Sequence, residues 1–185
     1  MPELDLDREA GVIDDTRKSS LIPDYERTKL LIRGATSADA HSIIGVHRAA
    51  IHGCAASAYE DAILRSWERT IDSESVVRLR EVIESKSEWM PVAASSKIIV
   101  GFGSIATKDS ELRSLYVHTN FGRMGIASHI LAELQRISRD LGPTRLETDA
   151  SLNGVEFYLS RRFTTAKQKP PCIERREHYA LSKNV

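Results

Sequence analysis

The chain contains 185 residues, of which 41% are hydrophobic and 28% are charged, and its 26 basic and 26 acidic residues give a formal net charge of zero. These values are typical of one globular domain with an ordinary buried core. The balanced charge excludes the overall basic character of proteins that bind nucleic acid or anionic lipid through their net charge.

The N-terminal stretch differs in composition from the rest of the chain. Acidic residues are frequent there, and apolar residues are sparse and without a period. We therefore expect a mobile extension over residues 1–27 and one domain over residues 28–185. The start has no apolar signal-peptide core and no apolar run reaches the roughly 18 residues of a bilayer span, which predicts a cytoplasmic protein without membrane association.

Two cysteines, Cys54 and Cys172, lie far apart in the sequence. Neither has a second metal-binding side chain at a short spacing, so neither a disulfide framework nor a metal site is predicted. Both are interpreted as free thiols in a reducing compartment.

The domain is predicted to begin with a short strand at Lys29–Arg33, followed by three helices. Thr36–Asp39 has the pattern of a helix start, with a hydroxyl residue and an acid three positions later. The helix after it carries its inward residues at helical spacing: Ile43, Ile44, His47 and Ile51. The second and third helices are predicted over Tyr59–Trp67 and Ser75–Ser85.

Strand patterns come next. Glu88–Ser95 and Lys97–Ile105 predict a hairpin with a tight turn at Ser95–Ser96. Glu111–Val117 predicts a third strand whose alternation of apolar and polar residues is imperfect. Such a strand is either buried on both faces or bulged.

A long amphipathic helix is predicted over Gly125–Leu141. One apolar stripe contains Ile126, Ile130, Leu131, Leu134, Ile137 and Leu141. Gly142 and Pro143 end the helix. The remaining predicted elements are a strand at Arg145–Thr148, a helix at Asn153–Arg161, and strands at Phe163–Ala166 and His178–Ser182.

The segment Leu115–Ser128 combines the end of a strand, a loop with two glycines and the start of the long helix. A helix N-terminus offers unbonded N–H groups and a positive dipole end, and glycine lets the backbone approach an anion closely. Arg123 adds positive charge. The spacing fits neither a P-loop nor a dinucleotide-binding loop, so another kind of anion site is indicated. Taken alone, the loop would be read as a simple turn.

Two segments of the chain resemble the GCN5-related N-acetyltransferase (GNAT) superfamily. The signature loop of that family, roughly V-x-P-x-x-[QR]-[GR]-x-G-[IV]-[GA], is matched in register by Val117, Arg123, Gly125, Ile126 and Ala127. Asn153–Phe163 resembles the N-x-x-x-x-[FL]-Y-x-x-x-G-F segment of the same family, with one residue fewer between Asn153 and Phe157. The order of predicted elements also agrees, and the resemblance covers about Lys29 to Leu181.

The chain departs from the family pattern at three positions. Thr119 stands in place of the loop proline, Gly122 in place of the first glutamine or arginine of the loop, and Arg162 in place of a glycine. The change at Gly122 concerns the binding of pyrophosphate. It either weakens cofactor affinity or leaves a backbone N–H to act without a side chain.

The resemblance implies an α/β (α+β) fold, with a central mixed, mostly antiparallel sheet flanked by helices. The sheet is expected to splay between its fourth and fifth strands, Glu111–Val117 and Arg145–Thr148, where acetyl-CoA would bind. The cofactor-binding residues implied in this way are Leu115, Tyr116, Val117, Gly122, Arg123, Met124, Gly125, Ile126, Ala127, Ser128, Asn153 and Tyr158.

Catalytic roles follow from the same resemblance. Tyr158 matches the tyrosine that protonates the leaving thiolate in the family, the alternative being a tyrosine packed on a helix face. Glu111 is the candidate base for the acceptor amine, with ordered water, or a solvated strand end, as the alternatives. The N–H of Leu115 or Val117 is expected to meet the oxyanion.

The implied function is an N-acetyltransferase that transfers the acetyl group of acetyl-CoA to an amine of a small molecule or protein, by direct attack in a ternary complex. The alternative is a non-catalytic acyl-CoA-binding or sensing module. The identity of the amine and a homodimeric state are left open. The resemblance places His47 beside the acceptor pocket, the alternative being a histidine packed on the helix face. Basic residues near the C-terminus, such as Arg161, either contact the phosphates of the cofactor or are solvated surface residues.

Overall fold

The computed structural model describes residues 30–55, 64–65, 73–108, 111–142, 145–165 and 178–185. Its helices are α1 (Ala40–Ala50), α2 (Ser73–Ser85), α3 (Ile126–Leu141) and α4 (Val155–Ser160). Its strands are β1 (Leu31–Gly34), β2 (Glu88–Trp89), β3 (Pro91–Ser95), β4 (Ile98–Ala106), β5 (Glu111–Val117), β6 (Arg145–Ser151), β7 (Thr164–Thr165) and β8 (His178–Asn184). Short 3-10 turns at Ser37–Asp39 and Thr119–Phe121, and a π-turn at Ile51–Ala55, complete the described elements.

The strands form one mixed sheet in the order β1-β3-β4-β5-β6-β8-β7, with β2 also paired to β4. Every neighbouring pair is antiparallel except β5 and β6. The predicted fold class is therefore confirmed. The strand predicted over Glu88–Ser95 is interrupted at Met90 and forms two strands, β2 and β3. The strands predicted as the fourth and fifth of the sheet are therefore numbered β5 and β6.

Helices cover both faces of the sheet. α3 and Tyr158 of α4 pack in one apolar cluster with Val100, Ile105 and Leu146, whereas α1 and α2 pack in a second cluster on Val92 and Phe102. None of the described helices is long and apolar enough to cross a membrane.

The start of α1 is stabilised by a polar cluster on its capping turn. Asp39 accepts hydrogen bonds from the N–H and the hydroxyl of Thr36, at 2.8 and 2.9 Å, in the predicted capping box. Arg33 of β1 makes a two-point ion pair with the same carboxylate, at 2.7 and 2.8 Å. These contacts, led by the Arg33 hydrogen bonds, lower the pKa of Asp39 far below its ordinary value. The cluster therefore ties β1 to α1.

The predicted stripe of α3 is confirmed over most of its length. Its first five members are buried, whereas Leu141 at the C-terminus is 38% exposed. Gly142 has a φ of 98° and ends the helix, as predicted, in the left-handed conformation that glycine adopts readily. The helix approaches β4 closely, because a Cβ on Gly103 would lie 2.7 Å from Leu134 Cδ1.

Several predicted boundaries are wrong by a few residues. The hairpin turn lies at Ser96–Lys97, where both residues have positive φ, because Ser95 still pairs with Ile98. β6 continues past Thr148, since it pairs with β8 along its whole length. α4 is shorter than predicted, because the turn before it is closed by a hydrogen bond from Gly154 to Ser151.

Other predictions fall largely outside the described residues. Of the helix predicted over Tyr59–Trp67, only Leu64 and Arg65 are described, and both are helical. The extension over residues 1–27 and Cys172 lie outside the described part of the chain, as does the side chain of Cys54.

Candidate active site

β5 and β6 run parallel but separate after a short stretch of pairing. Their register joins Glu111 to Glu147 and Leu112 to Thr148, and within the described ranges no later pair of residues continues it. Both strands extend several residues further. They therefore open into a cleft toward their C-terminal ends, at the place that the family resemblance implied.

The β5 side of this cleft is a strand edge with backbone groups directed into it. His118 donates its N–H to Val100 O at 2.9 Å, so His118 faces β4. Residues of an antiparallel strand alternate between bonding the neighbouring strand and pointing away from it. Leu115 and Val117, three and one residues earlier, therefore direct their N–H and C=O groups into the cleft. An extended ligand could pair with them as an added strand.

β5 contains a bulge close to the point where the cleft opens. Ser104 lies opposite Ser114 and Ile105 lies opposite Leu112, so Arg113 is an extra residue in the register. The bulge accounts for the imperfect alternation of this strand in the sequence. It turns Leu112 into the α3 side of the sheet, while Ser114 bonds to Ser104 through their hydroxyls at 3.0 Å.

The glycine-containing loop has the backbone shape of an anion-binding concavity. Arg123 and Gly125 both lie in the left-handed region, with φ of 63° and 77° on either side of Met124. Such alternation brings successive N–H groups onto one side of the chain, where they bind anions. The Gly122 N–H is already bonded to Thr119 O at 3.1 Å, so it closes the turn and is not directed at a ligand.

The first turn of α3 adds donors beside this loop. Because the helix begins at Ile126, the N–H groups of Ile126 and Ala127 have no acceptor one turn earlier in the helix. The Ile126 side chain is buried in the core, so only its backbone faces the loop. Ser128 donates its N–H to Gly125 O at 3.0 Å, which leaves its hydroxyl as the group that can contact a ligand.

Two side chains near the loop are not among the cofactor-binding residues that the resemblance implied, although Arg161 was named as one of the basic residues that either meet phosphates or are solvated. Arg161, at the end of α4, donates to the Ser128 hydroxyl at 2.7 Å and lies 5.2 Å from the centre of the Phe157 ring. His129 Nδ1 lies 3.0 Å from Gly125 O. Arg161 is 33 residues from Ser128 in the sequence, so no local pattern indicates the contact. His129 lies one turn after Gly125, a spacing that could have indicated it.

Tyr158 lies buried beneath the point where the two strands separate. Its hydroxyl is hydrogen-bonded to the side chain of Thr148, and Thr148 in turn donates to Leu112 O at 3.0 Å. The rings of Phe157 and Phe163 pack edge-on against it at 5.3 and 5.2 Å. Burial raises the pKa of Tyr158 strongly, and the hydrogen bond with Thr148 opposes the rise only partly. The phenol is therefore protonated at any ordinary pH.

Asn153 is exposed and lies in the turn that joins β6 to α4. The turn follows the end of β6 at Ser151, on the open side of the cleft. The structure thus brings Asn153, Tyr158 and the β5 edge to the same cleft.

Glu111 lies at the closed end of the cleft, where β5 and β6 are still paired. Its carboxylate accepts from Arg113 Nε at 3.4 Å, and Arg113 Nη1 also donates to Glu88 at 3.0 Å. Glu111 is therefore part of an ion-pair network that runs along β5 to β2.

A cavity of about 430 Å³ lies against the opposite face of β5, between the sheet and helices α1 and α2. Its apolar wall includes Ile43, Ile44, Leu79, Val82, Met90 and Phe102. His47 and Tyr116 also line it, with their rings edge-on and 4.7 Å apart. The Tyr116 side chain thus lies in this cavity, and only its backbone belongs to the cleft strand.

The family model of the acetyltransferase (GNAT) domain matches residues 54–175 of the chain. No curated protein sequence matches the chain significantly. The sequence comparison therefore gives a family and no individual relative.

Solved structures share the fold at low sequence identity. A GCN5-related N-acetyltransferase from Rhodopseudomonas palustris is 20% identical, with a TM-score of 0.73 over 84% of this chain and 95% of that one. The PaiA N-acetyltransferase from Thermoplasma acidophilum, solved with coenzyme A, is 18% identical, with a TM-score of 0.70 over 85% and 99%. The protein yncA from Salmonella typhimurium, solved with its cofactor acetyl-CoA, is 19% identical, with a TM-score of 0.63 over 84% and 93%.

Proposed function

This chain belongs to the GNAT acetyltransferase family, and we propose that it transfers the acetyl group of acetyl-CoA to an acceptor amine held in the same complex. The observation that carries the proposal is the cleft between β5 and β6, with a strand edge on one side that no strand of the described residues pairs with and a buried tyrosine beneath it. Coenzyme A and acetyl-CoA are bound in two of the solved structures of this fold, which supports the same co-substrate here.

The proposed site holds the two ends of acetyl-CoA by different means. The pantetheine arm pairs with the N–H and C=O groups of Leu115 and Val117, which face the cleft. The pyrophosphate lies on the loop from Arg123 to Gly125 and on the first N–H groups of α3, where the positive end of the helix dipole favours an anion. The Arg123 side chain adds a positive charge beside these donors.

The reaction forms one bond and breaks another. The amine nitrogen attacks the carbonyl carbon of the thioester, a C–N bond forms, and the C–S bond breaks to release the coenzyme A thiolate. An acceptor amine with a pKa near 10 is mostly protonated at neutral pH, so it must lose a proton before it attacks. We assign that proton to Glu111, directly or through water, and the second proton that the nitrogen loses as the amide forms replaces the one that the thiolate takes from Tyr158. The negative charge on the carbonyl oxygen is stabilised by a backbone N–H of β5, that of Leu115 or Val117.

Tyr158 serves the leaving group. The pKa of a thiol is about 8.5, below that of a buried phenol. Complete transfer of the proton from Tyr158 to the thiolate is therefore unfavourable in free energy unless another group stabilises the phenolate. The hydroxyl therefore acts first by donating a hydrogen bond to the departing sulfur. Thr148 would stabilise the phenolate as the proton moves by turning its hydroxyl, which donates to Leu112 O at 3.0 Å in this structure, toward the Tyr158 oxygen.

Calorimetric titration with acetyl-CoA tests this assignment, with Gly125→Glu as the informative variant. We expect micromolar binding to the wild type and none to Gly125→Glu, because the variant places a side chain and a negative charge in the anion site. Gly142→Glu is the matched control, since Gly142 is also left-handed, with a φ of 98°, but lies at the other end of α3. Equal binding by Gly125→Glu and Gly142→Glu would refute the phosphate site.

A further inference from the structure

The loop on which the pyrophosphate is proposed to lie carries little positive charge of its own. From Gly122 to Gly125 its one cationic side chain is Arg123, and the first three residues of α3 are uncharged. Gly122 offers no side chain, and its N–H is bonded to Thr119 O. Each phosphate of the coenzyme A pyrophosphate carries a negative charge at neutral pH, whereas Arg123 supplies a single positive charge. The loop alone therefore leaves part of the ligand charge unbalanced.

A second cation, Arg161, lies beside this loop although it belongs to the end of α4. Its Nη2 donates to the Ser128 hydroxyl at 2.7 Å. Ser128 directly follows Ala127, whose N–H is one of the unbonded donors in the first turn of α3. His129 is also close, but its Nδ1 lies 3.0 Å from Gly125 O and is directed at the backbone. The Arg161 guanidinium therefore reaches the same end of α3 as the loop.

The Arg161 side chain is held in this position by its own helix. Its guanidinium lies 5.2 Å from the centre of the Phe157 ring, and Nη1 donates to the Ser160 hydroxyl at 2.9 Å. Ser160 in turn donates to Phe157 O at 2.7 Å, so the guanidinium is fixed to the last turn of α4. A cation that is already positioned loses little conformational freedom when a ligand binds to it.

The charge of Arg161 is not neutralised by these contacts. Both acceptors are hydroxyls, and no carboxylate among the residues that the structure describes forms an ion pair with it. Arg33, Arg113 and Arg136, in contrast, each face a carboxylate. Guanidinium groups bond more strongly to phosphate oxygens than to neutral acceptors. A phosphate can therefore take the place of the Ser128 hydroxyl on Nη2.

We propose that Arg161 binds the pyrophosphate of acetyl-CoA from α4 and supplies the positive charge that the loop lacks. The inference rests on the proposed function. In the free protein the guanidinium is bonded to Ser128. When the cofactor binds, Nη2 exchanges the Ser128 hydroxyl for a phosphate oxygen, and the hydroxyl becomes available to donate to the same phosphate. Arg123 from the loop and Arg161 from α4 then balance the anion together.

Replacing Arg161 with glutamine tests the contact. The side chain is exposed, so the variant is expected to fold. Calorimetry measures binding of acetyl-CoA and of the acetyl thioester of dephospho-coenzyme A, which keeps the pyrophosphate and lacks the 3′-phosphate. We expect Arg161→Gln to weaken both by about ten-fold or more. Unchanged binding would overturn the proposal. A loss confined to acetyl-CoA would also overturn it, because the contact would then be to the 3′-phosphate.

Two further variants separate a contact from a general effect of charge or folding. Arg161→Lys keeps the charge and is expected to bind within about three-fold of the wild type, so a loss equal to that of Arg161→Gln would overturn the role of charge. Arg162→Gln is the matched control at the next residue. Burial lowers the pKa of Lys183 on β8 and the charge of Arg162 lowers it further, so Arg162 lies toward β8. Equal loss in Arg162→Gln would overturn a specific contact.

Gly122→Arg places the second charge on the loop instead. Gly122 has a φ of −62°, which any residue adopts, and a Cβ there would lie 3.3 Å from Thr119 O. In the Arg161→Gln background we expect Gly122→Arg to regain most of the lost affinity and Gly122→Ala to regain none. No recovery with arginine would overturn the charge argument. Failure of acetyl-CoA to bind the wild type would instead refute the proposed function, so the two failures are distinguishable.

Discussion

Replacing Tyr158 with phenylalanine removes a single hydroxyl from the candidate site and keeps the ring. The ring packs between Phe157 and Phe163, so the aromatic contacts remain. Thr148 loses one hydrogen bond but still donates to Leu112 O at 3.0 Å. The loss of one hydrogen bond costs about 0.5–1.5 kcal/mol of stability, which a folded domain tolerates. The variant is therefore expected to fold.

The effect on catalysis is expected to be larger than the effect on stability. Positioned acids contribute about 10²–10⁴-fold to rate, but burial raises the pKa of Tyr158 and makes it a weak acid. We therefore expect kcat to fall by about 10- to 100-fold, which corresponds to about 1.4–2.8 kcal/mol of transition-state stabilisation. The affinity for acetyl-CoA should change little, because the hydroxyl acts on the sulfur only as it leaves.

The measurement is thiol release at saturating acetyl-CoA, with an amine that the wild type acetylates. Tyr179→Phe is the matched control, because Tyr179 is an exposed tyrosine on β8. The raised pKa adds a second expectation for the wild type. Tyr158 stays protonated past the ordinary tyrosine pKa near 10, so it causes no alkaline fall in rate below that pH. A kcat of Tyr158→Phe within about two-fold of wild type would refute the acid role.

Two further predictions concern Glu111 and the capping turn. Glu111→Gln is expected to lose most activity at low and neutral pH, and to recover as the pH approaches the pKa of the amine. Glu147→Gln is the control, because Glu147 is the cross-strand neighbour of Glu111, and it should keep the wild-type pH–rate profile. Identical pH–rate profiles for Glu111→Gln and the wild type would assign the base to water or another group. Asp39→Asn is expected to lower the free energy of unfolding by about 1–3 kcal/mol near pH 7 in denaturant titrations, because it breaks the two-point pair with Arg33. Since the folded-state pKa of Asp39 is depressed, its contribution is present above the unfolded-state pKa near 4 and is lost as the pH falls below it. A destabilisation that persists undiminished at pH 2 would contradict that account.

Local patterns in the sequence predicted the elements that depend on local physics. The apolar stripe of α3 and the glycine at its end predicted a helix that the structure has, because period and capping are properties of neighbouring residues. The capping turn at Thr36–Asp39 was predicted for the same reason. Its ion pair with Arg33 was not, since that contact depends on how β1 lies beside α1.

Contacts between distant segments explain what the sequence did not predict. The Arg161 contact with Ser128 joins the end of α4 to the start of α3, and nothing near either residue indicates it. The cavity between the sheet and helices α1 and α2 is lined from both helices, from β2, β4 and β5, and by Met90, so it exists only in the fold. The interruption at Met90, by contrast, does have a local signal, because Pro91 follows it directly and proline, which has no N–H to donate to a sheet, stands at the first residue of a strand.

The central claim is that the separation of β5 and β6 is the acetyl-CoA site, and residue-resolved amide hydrogen exchange tests it most directly. Adding acetyl-CoA is expected to slow exchange at Leu115 and Val117, whose N–H groups face the cleft, and at Ile126 and Ala127 in the first turn of α3. Tyr116 should change least, because its N–H faces β4. Unchanged exchange at Leu115 and Val117 under saturating acetyl-CoA would contradict the account.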